Sequence, residues 1–440
     1  MIINITETGA KEGGFLCTGA IQKAIDKCNE AGGGTVEIPA GTFFTGCILL
    51  KSNVTLHLLE NAHLKGTRNI EDYLFRENPD NVIRWEPVNV RKNYDFINNP
   101  WSRWNGGLIK AVKAENVAII GEKGSVIDGS DCYDELGEEY YRGPHAINMH
   151  FCKNITLKGY TVKDSANWAN AIFSSQNIVM ENVVCEAGHD GIHITTCDDV
   201  EIKNCEFYTG DDCVAGIDNI NVNVTDCIMN SACSAMRFGG THVLVENCKM
   251  YGPCKNLFRG SLTVEEKRTG AVAEKQPGHR YNMLSAFTYY ADFSRNIREQ
   301  PGDILIRNCE IENADRLLHY NFSGNEPWQK GRPLESISFE NVTATGIRMQ
   351  LNAYGGEETP FCLTFKNCEV SFAEDVKNIS FMHICNHKKI LLKNLKVKGI
   401  KSGPFIKKWS DAGEIVMENL QTEGNSDVVS ATEPFFTQCI

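Results

Sequence analysis

A short phrase recurs through most of this chain at a spacing near 22 residues. It reads ENVAIIGEKGSVIDG from Glu115, KNITLKGYTVKDS from Lys153 and QNIVMENVVCEAG from Gln176. It continues as DDVEIKNCEFYTG from Asp198, DNINVNVTDCIMN from Asp218 and THVLVENCKMYG from Thr241. Later copies start at Gly302, Glu335, Lys388 and Gly413. Each copy alternates apolar and polar residues, turns at a polar corner that is most often Asn, and starts a second short alternating run. The anchors Asn154, Asn177, Asp199, Asn219 and His242 lie 23, 22, 20 and 23 residues apart. Period-two alternation inside a fixed longer period predicts an all-β solenoid, each repeat one coil of short strands. A leucine-rich repeat has a similar period, but its regular Leu spacing is absent. A propeller blade needs about twice the length.

The 18 cysteines follow the same rhythm, as in KNC at Cys205, ENC at Cys248, RNC at Cys309 and KNC at Cys368. No pair has CxxC spacing, so they read as buried reduced thiols and not as a zinc knuckle. The repeating Asn and Cys residues are expected to form ladders inside the stack.

The first 50 residues should hold a cap and the opening strands. TGAIQKAIDKCNEAGGG has Thr18 as a cap, apolar Ile21, Ala24, Ile25 and Cys28 on one face, and a stop at Gly32. These are helix signals, and a solenoid needs a cap over its open end. Residues 66–105 and 259–300 carry no repeat and are expected to be long loop insertions, of the kind that is usually functional. The chain thus reads as one domain over residues 1–440. Its formal charge of −12 argues against a nucleic-acid partner, which demands a basic footprint. The N-terminus lacks a signal-peptide pattern and no segment is long enough for a membrane span, so a cytoplasmic protein without a membrane partner is expected. Oligomeric state is left open.

The repeat allows positions to be stacked by counting. Thirteen residues beyond the anchors fall Asn167, Asp190, Asp212, Ala232 and Lys255. Asp190 and Asp212 would then be neighbours on adjacent coils, with Cα atoms about 5 Å apart. Two ionised carboxylates that close repel, so one is driven towards its protonated form unless a cation or hydrogen bonds intervene. A protonated acid beside an ionised one is the apparatus of glycoside hydrolysis. Asp211 adds a third carboxylate if the flanking Gly210 and Gly216 loosen the strand; the alternative is that these are turn residues. Trp168 is a sugar-stacking or a core residue. His189 and His193 flank Asp190, but HxxxH on a strand lacks the one-face geometry of a helical zinc pair, so no metal and no cofactor are expected. Arg237, Lys255 and Arg259 follow within two coils and suit an anionic sugar, or are surface charge.

Taken together these residues resemble the polygalacturonases, glycoside hydrolase family 28. The opening GAKEGGFLCTGAIQKAIDKCNEAGGGTVEIPAGTFFTG, the corner Ile127-Asp128-Gly129, the DSANW segment, and GHDGIHI followed one coil later by GDDCVAG carry the likeness. It runs from residue 9 to about residue 260. The resemblance implies a right-handed parallel β-helix and hydrolysis with inversion. It implies Asp211 as general acid, with Asp190 and Asp212 activating water. Two departures stand out. Gly188 and His189 replace the family's Asn and Thr before Asp190, and no His falls near residues 231–234. Arg259 in LFRGS is the nearest match to the family's carboxylate-gripping segment.

The expectation is an exo-acting glycosidase of pectin-derived oligosaccharides. His189, Trp168, Arg237, Lys255, Arg259 and Tyr289 are its candidate substrate contacts. Trp104, His279, Arg280, Tyr289 and Tyr290 are candidates for closing one end of the groove. The alternatives are a calcium-assisted lyase holding its ion on Asp190, Asp211 and Asp212, and a non-catalytic carbohydrate-binding solenoid.

Overall fold

The computed structural model of the protein describes residues 1–73, 95–270, 272, 276–290, 297–324, 331–377, 379–400 and 403–432. Most of the first expected insertion, 74–94, lies outside the described residues. The chain is a right-handed parallel β-helix, the hand that parallel strands with short connections adopt. It divides into two compact units, Met1–Asp211 with Lys255–Arg280, and Asp212–Cys254 with Tyr281–Ile440.

In the first unit each full coil has three strands. One column runs through Glu115–Gly121, Lys153–Lys158, Gln176–Glu181 and Asp198–Lys203, paired in parallel. Alternation puts Ile119, Leu157, Met180 and Ile202 in line in the interior, all fully buried. A second column holds Thr161–Lys163, Val184–Ala187 and Glu206–Thr209. The third holds Gly107–Val112, His145–His150, Asn170–Phe173 and Ile192–Thr195. Its strands are buried nearly throughout, because Trp104 packs over them against Ala171 and Phe173. Double-sided burial suppresses the alternation that marks the other columns.

The corner residues explain the repeat. Asn154, Asn177 and Asp199 all have φ near +56°, a left-handed conformation that Asn and Asp tolerate better than other side chains. Their ladder is on the exposed corner and not inside the stack as expected. Asn177 Nδ2 donates to Asn154 Oδ1 at 2.9 Å, Asn154 to Asn116 at 2.8 Å, and Asn116 to Asn53 at 2.8 Å. Cys205 does turn inward, and its thiol donates to the carbonyls of Lys203 and Met180. Every described cysteine is a free thiol.

The cap is the helix Thr18–Glu30, with Ile21, Ala24, Ile25 and Cys28 buried. Its N-cap is Cys17 and not Thr18. The Thr18 hydroxyl instead accepts the Gly46 N–H at 2.8 Å and ties the helix to the first coil. Among the described residues no helix is long and apolar enough to cross a membrane.

The second unit repeats the plan through Val214–Thr225, Ser234–Glu246, Gly302–Arg307, Ser336–Glu340 and Phe361–Phe372. Here the corner is Asn221, with φ of 57°, and not the anchor Asn219. Asn221 lies 22 residues beyond Asp199, the ordinary spacing, and the bulge between Gly216 and Asn219 shifts the pairing with the next coil by one residue. The segment 259–300 is not all insertion either. Met283–Tyr289 is a coil strand paired with Ser234–Glu246 and Ala314–Asn321. Six of its seven residues are buried, so it shows no alternation to read.

Candidate active site

Within the first unit the expected site residues gather at the bend between the second and third columns. Strand Val184–Ala187 pairs with Glu206–Thr209, Ala187 facing Thr209. The next residue, Gly210, donates its N–H to Ala187 at 2.9 Å. A Cβ on Gly210 would lie 1.9 Å from the Leu257 carbonyl oxygen and 2.6 Å from that of Gly188. Only glycine fits there, and it fixes the chain just before Asp211. The Thr209 hydroxyl then donates to the Asp211 carbonyl at 2.7 Å.

Asp190 is 3% and Asp211 9% exposed, so both carboxylates are held largely out of water. Asp190 Oδ2 lies 2.8 Å from His193 Nδ1. An ionised carboxylate only accepts, so this nitrogen carries the proton. The ring of His193 in turn lies flat on the indole of Trp168, centroids 3.5 Å apart, while Trp104 meets Trp168 edge-on at 4.7 Å. One face of Trp168 is therefore occupied by the protein itself.

The counted column needs one correction. Strand Asn170–Phe173 pairs with Ile192–Thr195, Asn170 facing Ile192, and Ala169 donates to the Asp190 carbonyl at 2.8 Å. That register puts Trp168 beside Asp190 and Asn167 beside His189. The coil from Asn154 is one residue longer than the next, 23 against 22, and the extra residue sits before this strand.

The centre of the site is a residue the sequence did not mark. Arg142 is 8% exposed and lies across the row of Asn167, His189 and Asp211. Its Nη1 is 3.4 Å from Asn167 Oδ1 and 3.2 Å from His189 Nδ1, and its Nη2 is 3.6 Å from Asp211 Oδ2. Nε donates to Glu139 Oε2 at 3.1 Å and lies 3.6 Å from Glu138. Burial opposes the charge of Arg142, but Tyr141, Glu139, Glu138 and Asp211 outweigh it and hold the guanidinium firmly protonated. The Arg142 charge holds the Glu139 carboxyl below its usual range. Burial pushes Glu138 up; its Oε2 accepts the Trp104 indole N–H at 2.8 Å. Arg142 follows a 3-10 turn, Glu138–Tyr140, in a stretch without repeat or motif, so no pattern announced it.

Arg259 is also buried, but its guanidinium pairs with Asp131. Its stem lies where a Cβ on Gly188 would be, 2.5 Å from Cγ, which accounts for glycine at that position. The expectation that Arg259 offers a free cation to a sugar is thus corrected. Lys255 is exposed and sits over the Tyr208 ring at 3.6 Å from its centroid. His279 lies 3.4 Å from Glu266, and Arg280 over Phe258 at 3.8 Å.

In the second unit Asp212 is 2% exposed, and its Oδ1 accepts the Ser234 N–H at 2.9 Å. Arg237 stacks on Tyr290 at 4.3 Å. Tyr289 is not a groove residue. It is buried edge-on against Tyr320, and its hydroxyl donates to the Pro333 carbonyl at 2.8 Å.

Two imidazoles here carry a pH prediction. Burial, then Arg142, depress His189 far below the ordinary histidine range, and burial, then Lys110, do the same for His145. Both are neutral in the fold, whereas in the unfolded chain they titrate near 6.5. Their contribution is complete above about 6.5 and is lost as pH falls, because only the unfolded state then takes up their protons. The slope is about 1.4 kcal/mol per pH unit for each imidazole. The urea midpoint should therefore drop clearly between pH 7 and pH 5; a flat profile would contradict the neutral assignment.

Comparison with known proteins gives the same direction. Residues 28–249, just over half of the chain, match the family model of glycosyl hydrolases family 28. The exo-poly-alpha-D-galacturonosidase of Dickeya chrysanthemi is 29% identical in an alignment 261 residues long that covers 48% of this chain and 41% of that protein. This chain thus spans less than half the length of that relative. The putative galacturan 1,4-alpha-galacturonidase A of Aspergillus niger is 23% identical over 417 residues, 86% of this chain and 89% of its own. The solved structure of a hyperthermoactive exopolygalacturonase from Thermotoga maritima has the same fold. Its TM-score is 0.58 at 19% identity, with 96% of this chain and 91% of that one covered.

Proposed function

The chain belongs to the glycosyl hydrolases of family 28, and we propose that it hydrolyses galacturonate-containing, pectin-derived oligosaccharides from one end of the sugar chain, with inversion. The observation that carries this reading is the pair of buried carboxylates, Asp190 and Asp211. The first faces the His193 imidazole and the second the Arg142 guanidinium. Asp211 gives its proton to the glycosidic oxygen as the bond from the anomeric carbon breaks. Asp190 takes the proton of a water that attacks that carbon from the opposite face, and the anomeric configuration inverts. An inverting pair stands about 6.5–9.5 Å apart to admit this water. Exo action is supported by the names of two similar proteins, one of Dickeya chrysanthemi and one of Thermotoga maritima.

The test is a panel of galacturonate oligomers, their methyl esters and neutral galactose oligomers. Release of galacturonate from one end is expected, with the inverted anomer as the first NMR product. Activity should persist in EDTA without the absorbance of an unsaturated product. Release of no sugar from any substrate would remove the hydrolase reading, and an EDTA-sensitive unsaturated product would replace it with a lyase.

A further inference from the structure

An arginine side chain only donates hydrogen bonds. Arg142 Nη1 faces His189 Nδ1 at 3.2 Å, so Nδ1 must be the accepting nitrogen. The single ring proton of this neutral imidazole is therefore on Nε2. That Nε2 is buried and has no hydrogen-bond partner among the described residues. Asn167 behaves in parallel. Its Oδ1 accepts from Arg142 and, at 3.1 Å, from the Trp168 N–H. Its amide nitrogen is thereby committed as a donor, and Nδ2 is likewise buried without a partner among the described residues. Both residues are 0% exposed.

An unmet buried donor costs about 1–3 kcal/mol, and native chains seldom keep one without a reason. Here two such donors occupy neighbouring positions in one row, oriented by the same guanidinium, beside Asp211. The charge of Arg142 is already met by Glu139. What the row offers is therefore a pair of neutral N–H groups and no free cation.

We infer that Asn167 and His189 form a sugar subsite that binds an acceptor oxygen of the substrate, with Arg142 as the positioning residue that fixes both donors. The inference rests on the hydrolase reading and adds which atoms recognise the sugar. It also gives a reason for His189 at this position: its ring reaches past the guanidinium and still presents a donor.

The test exploits an isosteric change. Asn167→Asp keeps the acceptor that Arg142 and the Trp168 N–H use, but turns the unmet donor into an acceptor. The subsite predicts a rise in KM of about tenfold or more, with a melting temperature equal to or above that of the wild type. His189→Phe should raise KM similarly, and His189→Gln, which retains a side-chain N–H, should recover part of the loss. Free acid and methyl ester substrates separate the two sources of the oxygen. A carboxylate oxygen predicts loss on the acid alone, and a hydroxyl predicts equal loss on both.

Unchanged KM in Asn167→Asp and His189→Phe, in an enzyme that cleaves normally, would overturn the subsite and leave the hydrolase reading standing. If the wild type cleaves nothing, calorimetry with digalacturonate and its methyl ester takes over. Binding weakened by Asn167→Asp supports the subsite, and binding absent or unweakened overturns it.

Discussion

Asp211→Asn is expected to lower kcat on galacturonate oligomers by about 10²- to 10⁴-fold, the range over which a positioned proton donor contributes. The amide has the shape of the carboxyl, but it has no acidic proton to give. The backbone that carries it is held independently, by the Thr209 hydroxyl and by the close fit of Gly210 under Leu257. The variant should therefore fold, with a near-native circular dichroism spectrum. A second readout separates acid catalysis from binding. On an aryl galacturonide with a good leaving group the departing oxygen needs little protonation, so the loss should be much smaller than on the natural linkage. A variant that keeps more than about a tenth of wild-type kcat would exclude Asp211 as the acid.

Arg142→Met should be costly to the fold itself. Breaking a buried pair by removing one partner costs about 3–5 kcal/mol, because the buried carboxylate left behind, here Asp211, is neither hydrated nor paired with Arg142. Here Glu139 and Asp211 lose a shared cation, and Asn167 and His189 lose the donor that orients them. The urea midpoint should fall accordingly. Adding Asp211→Asn removes the stranded buried charge and should restore part of the stability. A single variant within about 1 kcal/mol of wild type would show that the Arg142 cluster is not the buried charge network described.

These effects show what the sequence made legible. The coil period could be read because two constraints wrote it twice. The interior demanded alternating apolar residues, and the left-handed corners demanded Asn or Asp, as at Asn154, Asn177 and Asp199. The candidate carboxylates stood out for the same reason: Asp190 and Asp211 sit at bends whose neighbours obey the repeat. The count failed at Asp218-Asn219, which mimics the corner pattern two residues before Asn221, and at the extra residue before Asn170. Arg142 was invisible because its role comes from reach across three coils, and reach leaves no period. The pairing of Arg259 was hidden for a related reason. Its partner Asp131 is 128 positions away, with no spacing to connect them.

The extra residue in the coil from Asn154 has a consequence for how such a chain diversifies. Gaining or losing a whole turn leaves every row aligned, so it changes length and little else. A single inserted residue at the bend before a third-column strand slides that one rung. Here it brought an indole, in place of an amide, next to the Asp190 carboxylate, and set the amide beside His189. A one-codon insertion at such a bend can thus change the neighbours of a carboxylate without substituting the carboxylate itself.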